Sequence, residues 1–192
     1  YCHACEEKGS ITEFVAKMNN IDNSEAWKII QKECGINFEV EHNTGLSYTL
    51  EDYATEKNLK IENLRSWGLK TAESGKSLEI PYYDEEGKLI RIRYRNNPKN
   101  DIRFYWSNGT ETALYGLWFF YRFKSEYIIL VEGESDCHSL WSVNGQAFGV
   151  AGAKNFKKEY AKYFEKFNRV YIHSEDDKGA IAFIHSIEEV LP

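Results

Sequence analysis

Three short apolar runs in the last third of the chain, Tyr127–Val131, Ala147–Val150 and Arg169–His173, alternate with stretches of helical periodicity at residues 135–143, 156–167 and 179–190. This strand–helix alternation predicts a parallel sheet, because parallel neighbours must be joined by crossovers long enough to hold a helix. Two of the strands run straight into acids. The first continues as Glu132-Gly133-Glu134-Ser135-Asp136, and the third as Ser174-Glu175-Asp176-Asp177-Lys178-Gly179. An open α/β sheet builds its site at the carboxyl ends of its strands. Carboxylates gathered there repel one another unless a cation lies between them, and hard oxygen donors select Mg²⁺ or Mn²⁺. The expectation is a metal-dependent phosphoryl-transfer site. Glu132, at a strand end before a glycine, binds a cation or relays a proton. Glu175 and Asp177, two apart across a turn, chelate together. Asp136 either joins them or caps the helix that follows.

Upstream the period changes from helical to two. Leu78–Tyr83, a turn at Asp84-Glu85-Glu86-Gly87 and residues 88–95 read as a β-hairpin, and residues 101–106 add a strand before a turn at Asn108-Gly109. Along the second hairpin strand Arg91, Arg93 and Arg95 alternate with Ile90, Ile92 and Tyr94, so the guanidiniums share one face. The chain as a whole carries a net charge of −6, which speaks against a surface coated uniformly for nucleic acid. Residues 76–123, however, hold 8 basic against 6 acidic side chains. Arg91, Arg93, Arg95, Lys99 and Arg103 form a local basic patch that either contacts phosphate or is simply a solvated strand face.

The first part of the chain is helical. Ser10-Ile11-Thr12-Glu13 fits a capping box opening a helix through Met18, and Asn23 or Ser24 caps a second helix over residues 25–34. Residues 36–48 lack periodicity and read as a linker. Thr49-Leu50-Glu51-Asp52 opens a third helix, and residues 61–67 form a fourth, short one. This divides the chain into residues 1–35, a linker at 36–48, a helical segment at 49–75, a basic β-rich part at 76–123 and an α/β part at 124–192. The chain begins at Tyr1, its only methionine is Met18, and its last helix ends abruptly, so it reads as an internal piece of a longer protein. No apolar run is long enough to span a bilayer and no secretory signal pattern is present, which reads as a soluble, cytoplasmic protein with no membrane partner.

Cys34 and Cys137 sit in amphipathic patterns, as reduced core thiols do. Cys2 and Cys5 form a Cys-x-x-Cys pair, half of a tetrahedral zinc site, with no second pair of that spacing following. His138 and His173 have no base or nucleophile beside them in sequence and read as structural. Gly149-Val150-Ala151-Gly152 offers a backbone approach to phosphate, with Lys154 as a nucleotide contact, but lacks the lysine and serine of a Walker loop.

Taken together, these parts resemble a known arrangement. Glu132-Gly133-x-x-Asp136, followed by a strand and then Glu175-x-Asp177-x-Gly179, is similar to the TOPRIM domain of bacterial-type primases, topoisomerases and some nucleases. Tyr1-Cys2-His3-Ala4-Cys5 with Lys8-Gly9-Ser10-Ile11 resembles the second half of the primase zinc ribbon. Ile80-Pro81-Tyr82-Tyr83-Asp84 through Gly87, then Leu114-Tyr115-Gly116-Leu117, resembles the basic subdomain preceding TOPRIM in primases, and the motifs from Val131 to Asp136 and from Glu175 to Gly179 are most similar to those of phage and mobile-element primases. The resemblance implies an α/β (α+β overall) chain: a TOPRIM-like parallel sheet with helices, preceded by a small basic β-rich subdomain and a helical segment.

It also implies a DNA primase making short RNA primers on single-stranded DNA from nucleoside triphosphates, with a replicative helicase, fused or separate, as a further partner. Glu132 would be the catalytic acid. Glu132, Asp136, Glu175 and Asp177 would hold Mg²⁺ or Mn²⁺, and the basic side chains would guide the template. Cys2 and Cys5 would be two of four Zn²⁺ ligands in the intact protein. Glu175 departs from the family's Asp-x-Asp pair, and both the first zinc half-site and a further acidic motif fall outside the sequence. The rival readings are a TOPRIM nuclease or topoisomerase, and a non-catalytic single-stranded DNA-binding module with a degenerate TOPRIM fold.

Overall fold

The structure, a computed structural model, describes residues 10–33, 46–107, 112–174 and 178–191. The chain divides into two compact units after Asn43. In the first, α1 (Ile11–Asn19) opens with the capping box read from sequence: the Ser10 side chain accepts the Glu13 N–H, and Glu13 accepts the Ser10 N–H at 2.6 Å. Asn20 closes α1 in the left-handed region. The second helix, α2 (Asn23–Glu33), is capped one residue earlier than expected. Asp22 Oδ1 accepts the Glu25 N–H at 2.8 Å, an ionised acceptor at the positive end of a helix.

The second unit begins with α3 (Leu50–Lys57), opened by a Thr49–Asp52 capping box, and α4 (Ile61–Ser66). Strands β1 (Lys70–Thr71), β2 (Leu78–Tyr83), β3 (Leu89–Arg95) and β4 (Phe104–Trp106) follow as an antiparallel sheet in the order β1-β2-β3-β4. The β2–β3 turn is tied by Asp84 Oδ1, which accepts from the Lys88 and Glu86 amides, and it needs the left-handed Gly87. Strand β4 is shorter than the expected 101–106.

The second sheet is built from β5 (Leu114–Tyr115), β6 (Tyr127–Val131), β7 (Ala147–Val150) and β8 (Arg169–His173), in the order β5-β7-β6-β8. Strands β6, β7 and β8 are parallel, and β5 runs antiparallel to β7. Helix α5 (Glu134–Ser142) links β6 to β7, and α6 (Lys178–Glu188) follows β8. The molecule is thus a mixed α/β fold with helices and two sheets, one of them largely parallel. Residues 156–167 differ from expectation: only Lys158–Tyr163 is helical, and as a 3₁₀ stretch. Its amides bond three residues back, as Tyr160 to Lys157 and Phe164 to Ala161 do, while Tyr160 and Phe164 plant their rings in the core.

Alternation along the parallel strands sends side chains to two cores. Val131, Tyr115 and Ala147 meet α5, the helical segment and the antiparallel sheet. Leu114, Ile128, Leu130, Phe148 and Val150 point the other way, onto Phe156, Phe164 and Phe183. So α5 lies on one face of the sheet, and the 3₁₀ stretch and α6 on the other. The chain moves from β6 to one neighbour, β7, and then crosses to the opposite neighbour, β8. That reversal makes the carboxyl ends of β6 and β8 a topological switch point, where a crevice opens for ligand. Among the described residues, no helix is long and apolar enough to cross a membrane.

Candidate active site

Glu132 is the first residue past β6. Val131 pairs with Gly149 on one side and His173 on the other, so Glu132 and Ser174 leave the sheet level with each other at the switch point. Glu132 is half-buried, and Gly133 is the extended residue before α5. The turn sits tightly against β7. A methyl group on Gly149 would come within 3.0 Å of Cys137 Sγ and 3.2 Å of the Gly133 carbonyl oxygen, so any side chain there would have to push the turn away from β7 by a few tenths of an ångström. Gly149 therefore works by packing under the turn. Glu175 and Asp177, and likewise Cys2 and Cys5, lie outside the described residues. Among the described residues, no three metal-binding side chains cluster.

Three carboxylates enter within five residues, and they go to different places. Asp136, in the first turn of α5, lines a groove of about 390 Å³ with Ser139 and Leu140, opposite Tyr171 and His173 of β8. His173, read from sequence as structural, is an exposed side chain on that groove. Glu134 turns inward and is buried. Its Oε1 accepts from Arg93 Nη1 at 2.6 Å and from the Tyr82 hydroxyl. Burial alone would raise the Glu134 carboxyl, but the Arg93 guanidinium and the Tyr82 bond hold it below its ordinary value. Burial likewise disfavours the Arg93 charge, and Glu134 more than offsets it.

One helical turn on, His138 is also buried. Its ring nitrogens bond the Tyr53 hydroxyl at 2.8 Å and the Tyr115 hydroxyl at 2.7 Å, and its ring stacks on Trp67. Desolvation pushes it down to about 3, so it is neutral, with one nitrogen donating and the other accepting. Glu134, Cys137, His138 and Trp141 follow the i, i+3, i+4, i+7 spacing of one inward helix face. That spacing was the available sign that Glu134 and His138 are buried, although it names no partner.

The arginine face of β3 points inward. Cross-strand register sets Arg95 opposite Leu78, Arg93 opposite Ile80 and Arg91 opposite Tyr82, all three of these β2 partners being fully buried. The apolar face carries Ile90, 45% exposed. Arg93 lies over the Phe104 ring at 4.4 Å and Arg95 over Tyr53 at 5.0 Å, and Arg95 also pairs with Glu56 at 2.9 Å. Long aliphatic stems let these side chains line an aromatic interior while each charge finds a carboxylate. Arg91 lies 5.5 Å from the Trp106 ring centre, with its buried Nε and Nη1 unbonded among the described residues. Lys99 and Arg103 are exposed in the loop between β3 and β4. Gly152 takes a left-handed turn after β7, closed by the Asn155 side chain bonding the Ala151 carbonyl, and Lys154 is exposed beside it.

No protein-family model matches the chain, and no curated protein sequence does. Solved structures match it. The chain is similar to the primase fragment of the bacteriophage T7 primase-helicase protein, at 19% identity and a TM-score of 0.59, over 72% of this chain and 59% of that one. It is similar to the DnaG primase catalytic domain bound to ssDNA at 15% identity and a TM-score of 0.62, over 73% and 58% of the two chains. A primase from Aquifex aeolicus, comprising zinc-binding and RNA polymerase domains, matches at 16% identity and a TM-score of 0.61, over 99% of this chain and 63% of that one. The chain thus spans less than two thirds of each of these structures. Its fold is that of the DnaG-type primase catalytic core.

Proposed function

We propose that the full-length protein is a DNA primase, a nucleotidyltransferase that copies single-stranded DNA into short RNA primers. The observation that carries this reading is the placement of Glu132 at the carboxyl end of the central parallel strand, at the switch point of a sheet with the primase-core fold. In the reaction, a ribose 3′-hydroxyl oxygen attacks the α-phosphorus of a nucleoside triphosphate. A new P–O bond forms, the bond to the β-phosphate oxygen breaks, and pyrophosphate leaves. Glu132 takes the hydroxyl proton or orients the hydroxyl toward phosphorus.

The hard oxygen donors here fit Mg²⁺ or Mn²⁺. Glu132 and Asp136 would hold the ion, with Glu175 and Asp177, which follow one and three residues after Ser174 in sequence. Glu134 is left out of that set because it is buried and turned inward onto Arg93 and Tyr82. Bound there, a divalent cation neutralises charge developing on the transferring phosphoryl group.

The template strand would run along the basic sheet. Exposed Lys99 and Arg103 would contact its phosphates first, and Arg91 lies deeper, while Arg93 and Arg95 hold β3 to the interior through Glu134 and Glu56. Lys154 and the Gly152 turn would meet a nucleotide phosphate. Cys2 and Cys5 would bind zinc as part of a four-ligand site, as in a TOPRIM primase carrying a zinc ribbon. A cytoplasmic replication setting, in a phage, plasmid or bacterial chromosome and alongside a helicase, accords with this reading.

The test is primer synthesis on single-stranded DNA with labelled nucleotides and Mg²⁺ or Mn²⁺, comparing the full-length protein with Glu132→Gln. Product from the first and none from the second supports the assignment. Binding or cutting of DNA without primer synthesis would replace it with a binding module or a nuclease.

A further inference from the structure

Of the arginines on the inward face of β3, Arg95 pairs with Glu56 and Arg93 with Glu134. Arg91 forms no ion pair among the described residues, and its Nε and Nη1 are buried without an acceptor. Those nitrogens carry most of a guanidinium's N–H donors. Arg93 also keeps an unbonded Nε, but its Nη1 holds Glu134. Around Arg91 the fold supplies rings instead: the Trp106 ring centre lies 5.5 Å away, and Tyr82, its cross-strand partner, donates its hydroxyl to Glu134. An indole face steadies a cation without accepting its N–H groups. Buried donors left open cost stability, so several on one cation mark a place where the acceptor comes from outside the chain. The row of arginines also has a direction. Arg95 lies over Tyr53, which bonds His138 in the second turn of α5, and Arg93 bonds Glu134 in the first. One more step along the same face, about 6–7 Å, carries the row past the amino-terminal end of α5. That is the end where Glu132 leaves the sheet, at the switch point.

We propose that Arg91 receives the β- and γ-phosphates of the incoming nucleoside triphosphate, its unanswered N–H groups bonding the oxygens that depart as pyrophosphate. The proposal rests on the primase reading and names the substrate group that this cation takes. Template and nucleotide both carry phosphate, but position separates them. The template backbone stands the width of a base pair away from the reacting phosphorus, whereas a cation at the end of the row meets the nucleotide's own phosphates. A divalent ion held by carboxylates answers only part of a triphosphate's charge, and a planar guanidinium bonds two phosphate oxygens at once. Arg93 and Arg95 cannot serve in its place without giving up Glu134 and Glu56.

The experiment compares the full-length wild type with Arg91→Met and Arg91→Lys. Each is measured for nucleotide KM in primer synthesis, for affinity toward a single-stranded oligothymidylate, and for Tm with and without inorganic triphosphate. Arg91→Met is expected to raise nucleotide KM about 10- to 100-fold, the loss of charge-assisted bonds, while oligothymidylate affinity stays within about 3-fold. Arg91→Lys should recover part of that loss, since the ammonium keeps the charge but not the fork. Without ligand, Arg91→Met should melt at or above the wild-type Tm, because methionine removes open donors and keeps an apolar stem. Inorganic triphosphate should raise the Tm of the wild type and leave that of Arg91→Met unmoved. A lowered Tm in unliganded Arg91→Met would make Arg91 a structural cation and overturn the proposal. So would an unchanged nucleotide KM, and a loss confined to oligothymidylate affinity would hand the cation to the template instead. A wild-type protein that makes no primer brings down the primase reading by itself. The triphosphate shift then still decides for Arg91: present only in the wild type it keeps the anion site, and equal in both proteins it removes it.

Discussion

The two sides of α5 put the same kind of residue to opposite uses. On the inward side Glu134 and His138 are buried, bonded twice each, and shifted so that each keeps one charge state. On the open side Asp136 borders a groove shared with His173, and Glu132 stands half-buried at the strand end. A carboxylate and a histidine thus occur on each side, one pair as fastening and one pair at the crevice. Burial and partners separate the roles; residue type does not. Glu134 is buried and turned toward a guanidinium and a phenol inside the fold, whereas Glu132 stands at the strand end beside the crevice. Three acids within five residues are not three candidates for one job.

The sharpest way to break this contrast is to remove one charge on each side. Glu132→Gln should cut primer synthesis by about 10³-fold or more, in the range expected for losing a proton acceptor and a metal ligand together, and leave thermal stability nearly unchanged. Arg93→Met should act first on stability. Stripping one partner from the buried pair leaves Glu134 charged and unpaired, at a cost of about 3–5 kcal/mol in urea unfolding. If Arg93→Met unfolds at the wild-type midpoint, the inward side is not fastening.

A subtler separation uses acid. His138 is held near 3, below its ordinary 6.5, so protonation favours the unfolded chain. Its contribution is fully present above about pH 6.5 and is lost progressively as pH falls toward 3. By pH 5 the loss should be about 2 kcal/mol, 1.4 kcal/mol for each pH unit below 6.5. Glu134 acts in the same direction in a lower window, below its ordinary 4.5, since its folded value is depressed. Unfolding by urea at pH 7 and pH 5 should therefore show a slope that His138→Gln flattens above pH 5. A wild-type protein equally stable at both values would remove His138 from the inward face.

Much of this architecture is legible in the chain itself. Strand–helix alternation announces the parallel sheet, the two capping boxes mark α1 and α3, and the strand end bearing Glu132 stands where the pattern puts it. What local pattern cannot carry is which side of an alternating strand faces inward. Along β3 the isoleucines look like the core face, yet the arginines are inside. The reason lies 41 residues away at Glu134 and 39 residues away at Glu56. Nor does helical spacing distinguish a 3₁₀ stretch from an α-helix when large rings at Tyr160 and Phe164 set the spacing. Long-range pairing decides both.

That same sheet supplies the smallest effect and the finest test. Arg93 and Arg95 are committed to carboxylates, while Lys99 and Arg103 are exposed on the following loop. If the loop cations meet phosphate, Lys99→Ala and Arg103→Ala should each weaken single-stranded DNA binding only a few-fold. Each should also reduce the slope of log affinity against log salt by about 0.7, the value for one phosphate contact on a single strand. Neither should move the unfolding midpoint by more than about 0.5 kcal/mol, because neither side chain is buried. The inward arginines should show the opposite signature, with stability falling and the salt slope preserved. An unchanged salt slope in both loop variants would mean that the template takes another path. The cations that matter for binding would then have to be sought among other exposed side chains, Lys154 beside the β7 turn being the first to examine.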